Sequence, residues 1–249
     1  MNDALGMDLA NVLEYRSTFY DLLRRVYLWE FPLELFSELV TTAKEGQNEG
    51  DPGCSYEAAL HSFLRTVPSE ELSATHQEMK IEYTRLFIGP RHLPAPPYES
   101  VYRTPQKLMM QGPTIDVRSF YSLCGFQVNR INQEPDDAIG VELEFMCALS
   151  AASVEALRQG KQSKLVQLVS AQTEFCHLHL SEWVPQFCAD ILSNTTSDFW
   201  RAIATCTRSF IEQDLSDLKH LKTQLAPETP HPISLEQNAS VHQETSTVS

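Results

Sequence analysis

The stretch from Glu82 to Tyr102, EYTRLFIGPRHLPAPPYESVY, restricts the fold more than any other. Its first half carries an apolar helical face, and its second half carries Pro90, Pro94, Pro96 and Pro97. Proline lacks an amide donor, fixes φ and pushes the preceding residue out of the α region. A helix must therefore end near Gly89, and a stiff loop must follow. Such a loop costs less entropy to order and holds Tyr98 and Tyr102 in fixed places. A helix end running into a rigid aromatic loop suits a groove for an apolar peptide or ligand. It suits a plain connector between two helices equally well.

Helical spacing continues on both sides. Apolar residues recurring near every ~3.6 positions predict a helix over about 9–28, with Asp8 as its N-cap. Pro32 opens a second, short helix that turns Leu35, Phe36, Leu39 and Val40 inward. Residues 44–54 read as a loop, after which Ser55 caps a helix carrying Leu60, Phe63 and Leu64. Ser69 with Glu70 and Glu71 starts the central helix, whose stripe is Leu72, His76, Met79, Tyr83 and Leu86. Leu72 and Met79 read as core, and His76 as a packed histidine rather than a ligand.

Further on, a helix over about 115–124 stops at Gly125. Asp136 or Asp137 caps a long helix with Ile139, Leu143, Met146 and Leu149 on its apolar face. Ser163 caps another, running to about Leu180, and a short helix over Ser181 to Leu192 holds Pro185. The last runs from about Ser197 to Leu225 and is ended by Pro227. Only 9 glycines and no sustained β-branched alternation argue against a sheet. The expectation is an all-α fold over 1–225, long enough for one large helical domain or two small ones, and a disordered acidic/polar tail over 226–249.

Lys and Arg number 19 against 33 Asp and Glu, a formal charge of −14. That disfavours nucleic acid and an anionic membrane surface. It favours capture of a cationic partner, although plain solubility accounts for it too. No apolar run approaches the ~20 residues that cross a bilayer, so no stable membrane insertion is expected. The first residues carry acids and no basic start, so no secretory signal is expected. The 6 cysteines are scattered without C-x-x-C, which reads as free thiols in a reducing cytoplasm.

Glu134, Asp136, Asp137, Glu142 and Glu144 form an acid cluster with no basic residue among them. Helix capping and solvation explain part of it. Recognition of a cation is a second reading, since carboxylates accept bidentate bonds from guanidinium. Glu142 flanks an apolar face, so burial would oblige it to find a partner. A third reading is an all-helical enzyme or small-ligand or cofactor carrier working through Asp136, Asp137 and Glu142; its metal-dependent form needs Asp-Asp-x-x-Asp/Glu to hold Mg²⁺ around a diphosphate. Gly140 stands where the third acid must be. A di-iron bundle needs two Glu-x-x-His motifs, and only Glu174-His177 fits. There is no phosphate-cradling glycine loop, and no cofactor is expected.

Three stretches together resemble the TorD/DmsD family of chaperones for molybdenum redox enzymes. They are LFIGP followed by PPYESVY over 86–102, EPDDAIGVELEFM over 134–146, and EFCHLHLSEWVPQF over 174–187. The last places His179, Trp183 and Phe187 as in the family's His-x-x-x-Trp helix pair. The likeness spans most of residues 9 to 221, and it implies a single compact multi-helix domain over 1–225. It implies a cytoplasmic chaperone, not an enzyme, that binds the twin-arginine signal peptide of a molybdopterin-containing oxidoreductase precursor. Such a chaperone holds the precursor from export until its cofactor is inserted. The resemblance assigns Tyr83, Leu86, Phe87, Pro97 and Tyr98 to the peptide groove, and Asp136, Asp137 and Glu142 complete the peptide-binding set. It also implies a monomer or a domain-swapped dimer. Relatives linked to guanine nucleotide or molybdenum cofactor find no phosphate loop here to place either. One departure stands out: Ala138 occupies the position of a family histidine linked to signal-peptide recognition. Alanine keeps the helix but can neither ionise nor hydrogen-bond through its side chain.

Overall fold

The computed structural model describes residues 3–46, 56–89, 92–126 and 134–225, with backbone alone for 3–8. Ten α-helices occupy the described residues: α1 Asp3–Tyr27, α2 Leu33–Glu45, α3 Ala58–Thr66, α4 Leu72–Phe87, α5 Glu99–Arg103, α6 Gly112–Leu123, α7 Ile139–Arg158, α8 Gln162–Phe175, α9 Ser181–Asn194 and α10 Asp198–Leu225. Extended pairing among those residues is limited to one antiparallel bridge, Tyr98 with Ala138. The all-α expectation is met.

The core is one cluster that runs from Leu13 to Leu225. α7 lies at its centre, with Ile139, Val141, Leu143, Phe145 and Met146 almost wholly buried. A helix apolar on so many sides is one enclosed by others. α1 packs along it on one side and α8 on another, while α10 packs on α9, α8 and α3. The crossing of α1 and α7 is tight at Gly140, where a Cβ would stand 2.5 Å from Leu28 Cδ2. Only glycine fits so close an approach.

Several local expectations are corrected. α1 begins at Asp3, so Asp8 lies inside the helix and not at its N-cap position. α8 begins at Gln162, with Lys161 at the cap position, so Ser163 is internal. Neither Asp136 nor Asp137 caps α7; Ala138 sits there in extended conformation with no side-chain cap bond. The loop after α4 contains a helix of its own, α5. α8 and α9 are not two separately capped helices: a π turn over Cys176–Leu180 joins them. Ser55 and the tail over 226–249 lie outside the described residues.

Other readings hold. The central helix, α4, starts after a 3₁₀ turn at Ser69–Glu71 and ends at Phe87, before the prolines. Gly125 ends the α6 region with φ +71, a left-handed conformation that favours glycine. His76 is packed among Trp29, Phe31 and Phe36, and its Nε2 lies 2.7 Å from the Phe31 carbonyl. Cys124, Cys147, Cys176, Cys188 and Cys206 are all free. Burial pushes the Cys206 thiol up to about 12. No described helix is long and apolar enough to cross a membrane.

Candidate functional site

The two stretches rich in proline and acid, far apart in sequence, are stitched together. The Ile139 N–H donates to the Pro97 carbonyl at 2.9 Å, and the Glu99 N–H donates to the Asp137 carbonyl at 2.9 Å. The Ser100 N–H donates to Asp137 Oδ2 at 2.9 Å. The chain before α7 turns at Asp136 and Asp137 and meets the proline loop through the antiparallel bridge of Ala138 with Tyr98, which sets the Asp137 side chain beside the first turn of α5. Asp137 is a helix cap after all, but for α5 from across the junction. Its side chain is fully buried.

Beneath this junction lies a buried ionic layer. Glu99 and Glu142 are both 0 % exposed. Arg103 ion-pairs with Glu99 and also donates to the Leu178 carbonyl at 2.8 Å. His179 Nδ1 lies 3.0 Å from Glu99 Oε2, and the Trp183 indole N–H donates to Glu142 Oε2 at 3.2 Å. Burial first, and the Glu99 charge second, push the Glu142 carboxyl well above the usual carboxylate range. Glu142 Oε1 meets no donor. A proton held there turns it into a donor toward Glu99, which removes the conflict of two buried like charges. The π turn serves this layer: it buries His179 and leaves His177 exposed.

The outer face is different. Pro97 and Tyr98 are half-buried, and Glu134 is exposed. Burial raises the Tyr98 phenol, and the Glu134 and Asp137 charges add to it. The Asp136 side chain is 15 % exposed and pairs with Arg118 Nε at 2.5 Å; Arg118 is itself 69 % exposed. The Asp136 carbonyl accepts from the Tyr121 hydroxyl at 3.0 Å.

Of the residues expected to line a groove, Tyr83, Leu86 and Phe87 do not. They are 9 %, 0 % and 4 % exposed. Phe87 packs on Trp200 at 5.1 Å and on Tyr83 at 5.4 Å between ring centroids, and the Tyr83 hydroxyl donates to the Tyr27 carbonyl. The proline loop folds back over them, with the Ala95 N–H on the Leu86 carbonyl at 3.4 Å. Asp137 and Glu142 are likewise inside, both 0 % exposed. Asp136, Asp137 and Glu142 face three different partners, which corrects the reading of them as one ligand-holding set. No group of three His, Cys, Asp or Glu among the described residues is placed to hold a metal.

Glu99 escaped the sequence reading because it sits in what looked like plain loop. Its signal was Arg103 four residues on, the spacing of a helical ion pair.

The family described as nitrate reductase delta subunit matches residues 49–189, which takes in both halves of the junction. The chain is 24% identical over 210 residues to a probable Tat proofreading chaperone DmsD of Haemophilus influenzae, covering 84% of this chain and 95% of that one. It is 30% identical over 152 residues to the chaperone protein TorD of Vibrio cholerae, covering 61% of this chain and 66% of that one. A Tat proofreading chaperone DmsD of Salmonella typhi is 26% identical over 149 residues, covering 59% of this chain and 66% of that one.

Proposed function

The chain belongs to the nitrate reductase delta subunit family, and from that premise we propose that it is a cytoplasmic chaperone for a twin-arginine precursor. It binds the signal peptide of a molybdopterin-containing oxidoreductase and assists maturation of that enzyme before export. Relatives named as Tat proofreading and TorD chaperones support the class of activity. The observation that carries the reading here is the junction itself. Pro97 and Tyr98 offer half-buried apolar surface within a segment hydrogen-bonded to the Asp136–Ile139 turn.

In this reading the apolar part of the leader lies against Pro97 and Tyr98. A leader arginine takes the Asp136 carboxylate, forming a charge-assisted pair. Asp137, Glu99 and Glu142 do not touch the peptide; they hold the two segments in register beneath it. Leu86 and Phe87 support the loop from inside. An exposed ion pair is worth about 0–1 kcal/mol, and apolar contact about 25 cal/mol per Å². Ordering a flexible leader costs several kcal/mol, so binding is on the order of micromolar. That suits a client that must be released.

Calorimetry of the full chain with a twin-arginine leader peptide tests this. Tyr98→Ala is expected to weaken binding by roughly tenfold, about 1.4 kcal/mol, and Asp136→Asn by a few-fold, within about 1 kcal/mol, with the fold intact. Unchanged affinity in both variants overturns the assignment of this face.

A further inference from the structure

A second concavity lies elsewhere in the fold and shares no residue with the junction. α2 and α3 pack on each other, and α3 on α10, and a gap is left where α1, α2 and α3 meet. The gap is a recess of about 660 Å³ walled by Phe19, Leu22, Leu35, Leu39, Leu60 and Leu64. That volume falls in the range of small-molecule sites, about 300–1,000 Å³.

The polar groups at its edge divide into two kinds. Asp21 is paired with Arg24 at 2.6 Å and Arg25 at 2.7 Å, and Glu57 accepts the Tyr15 hydroxyl at 2.5 Å. These groups ask nothing of a guest. His61 and Arg65, one turn apart on α3, do. His61 Nδ1 is buried and has no hydrogen-bond partner among the described residues. Arg65 spends its Nε on the Ala43 carbonyl at 3.0 Å and has no ion-pair partner among the described residues. An imidazole and a guanidinium with only its Nε committed, at the lip of an oily recess, are complementary to an anion with an apolar body.

We propose that this recess binds a single-chain amphiphile with a carboxylate head. The apolar body lies along Leu22, Leu35, Leu39 and Leu60, and the head accepts hydrogen bonds from the terminal nitrogens of Arg65, with the His61 ring beside it. The proposal is independent of the chaperone reading.

Calorimetric titration of the full chain with dodecanoate, kept below its micelle threshold, tests it, with dodecanol as the neutral control. Saturable binding at one site is expected, lost in Ala43→Phe and in Leu39→Trp, both of which fill the recess. Arg65→Gln is expected to weaken dodecanoate by roughly tenfold, as for loss of one charge-assisted bond, and to leave dodecanol unchanged. Two filling variants are used so that one that fails to fold leaves the other. Absence of saturable binding, or binding that folded filling variants retain, overturns the proposal. So does an equal effect of Arg65→Gln on acid and alcohol. If the filling variants instead abolish binding of a leader peptide while dodecanoate never binds, the recess belongs to a client segment and the amphiphile is ruled out.

Discussion

At Glu142 one proton decides whether the buried layer is at rest or in conflict. Its carboxyl and that of Glu99 are both inside, with one histidine, one arginine and one indole between them as partners. Burial, then the Glu99 charge, raise the Glu142 pKa in the folded state above the ordinary 4.5. A raised folded value means stability that is fully present below the unfolded pKa and lost as pH rises through the folded one. Glu142→Gln keeps the acceptor for Trp183, supplies a permanent donor toward Glu99, and removes the titration. Relative to this variant, the wild type is expected to lose several degrees of Tm as pH rises above the ordinary carboxylate range, since ~1 kcal/mol moves Tm by ~2–4 °C at this chain length. Parallel Tm profiles of the two proteins would remove Glu142 from the account. Arg118 poses the complementary question on the surface. It already occupies the Asp136 carboxylate that the proposal gives to a leader arginine. An exposed pair of this kind is weak and exchangeable. Arg118→Gln is therefore expected to bind a leader peptide a few-fold more tightly, read by calorimetry at low salt; weaker binding would make Arg118 part of the site rather than its occupant.

α5 is too short to stand alone, because nucleating a helix is costly and one turn returns few hydrogen bonds. It persists because Asp137 caps it from another segment, with both a carbonyl and a carboxylate. Losing such a cap costs ~0.5–2 kcal/mol. Asp137→Ala is expected to speed amide exchange at Ser100 by roughly tenfold, since ~1.4 kcal/mol is a factor of ten, and to leave α10 amides unchanged. Uniform protection in both elements would mean that α5 is held by packing alone. The same element shows where sequence reasoning reaches its limit. Periodicity revealed the long helices, because their apolar faces repeat within one segment. It placed the end of α4 and the stop at Gly125, because proline and glycine act locally. It could not reveal α5 or the true role of Asp137, because both depend on a partner about 40 residues away that no local pattern encodes. The π turn was hidden for a related reason: an inserted residue inside a helix shifts the register without changing composition.

Across the whole molecule, the first and last described helices are tied by a buried polar knot. Arg16 on α1 and Asp214 on α10 are 3 % and 2 % exposed and form two hydrogen bonds, at 2.5 and 3.0 Å. The Tyr20 hydroxyl donates to Asp214 at 2.6 Å, and Arg16 donates to Gln172 of α8 at 2.9 Å. Gln172 in turn takes Ser150 and gives to Ser153, both on α7, at 2.9 Å each. Four helices therefore share one network that the hydrophobic pattern did not announce. Arg16 had a signal in plain view: it lies three residues after Leu13 and four before Tyr20, inside the apolar stripe, where a solvated arginine does not belong. Such networks are costly to open from one side and cheap to replace whole. Asp214→Ala leaves a buried guanidinium unpaired and is expected to cost ~3–5 kcal/mol, a Tm loss on the order of 10 °C at ~2–4 °C per kcal/mol. The double variant Arg16→Met with Asp214→Leu removes both charges and is expected to recover most of that loss, giving a coupling of ~2 kcal/mol or more in a double-mutant cycle. If the two losses simply add, α1 and α10 are joined by their apolar faces, and the polar knot is a passenger of that packing.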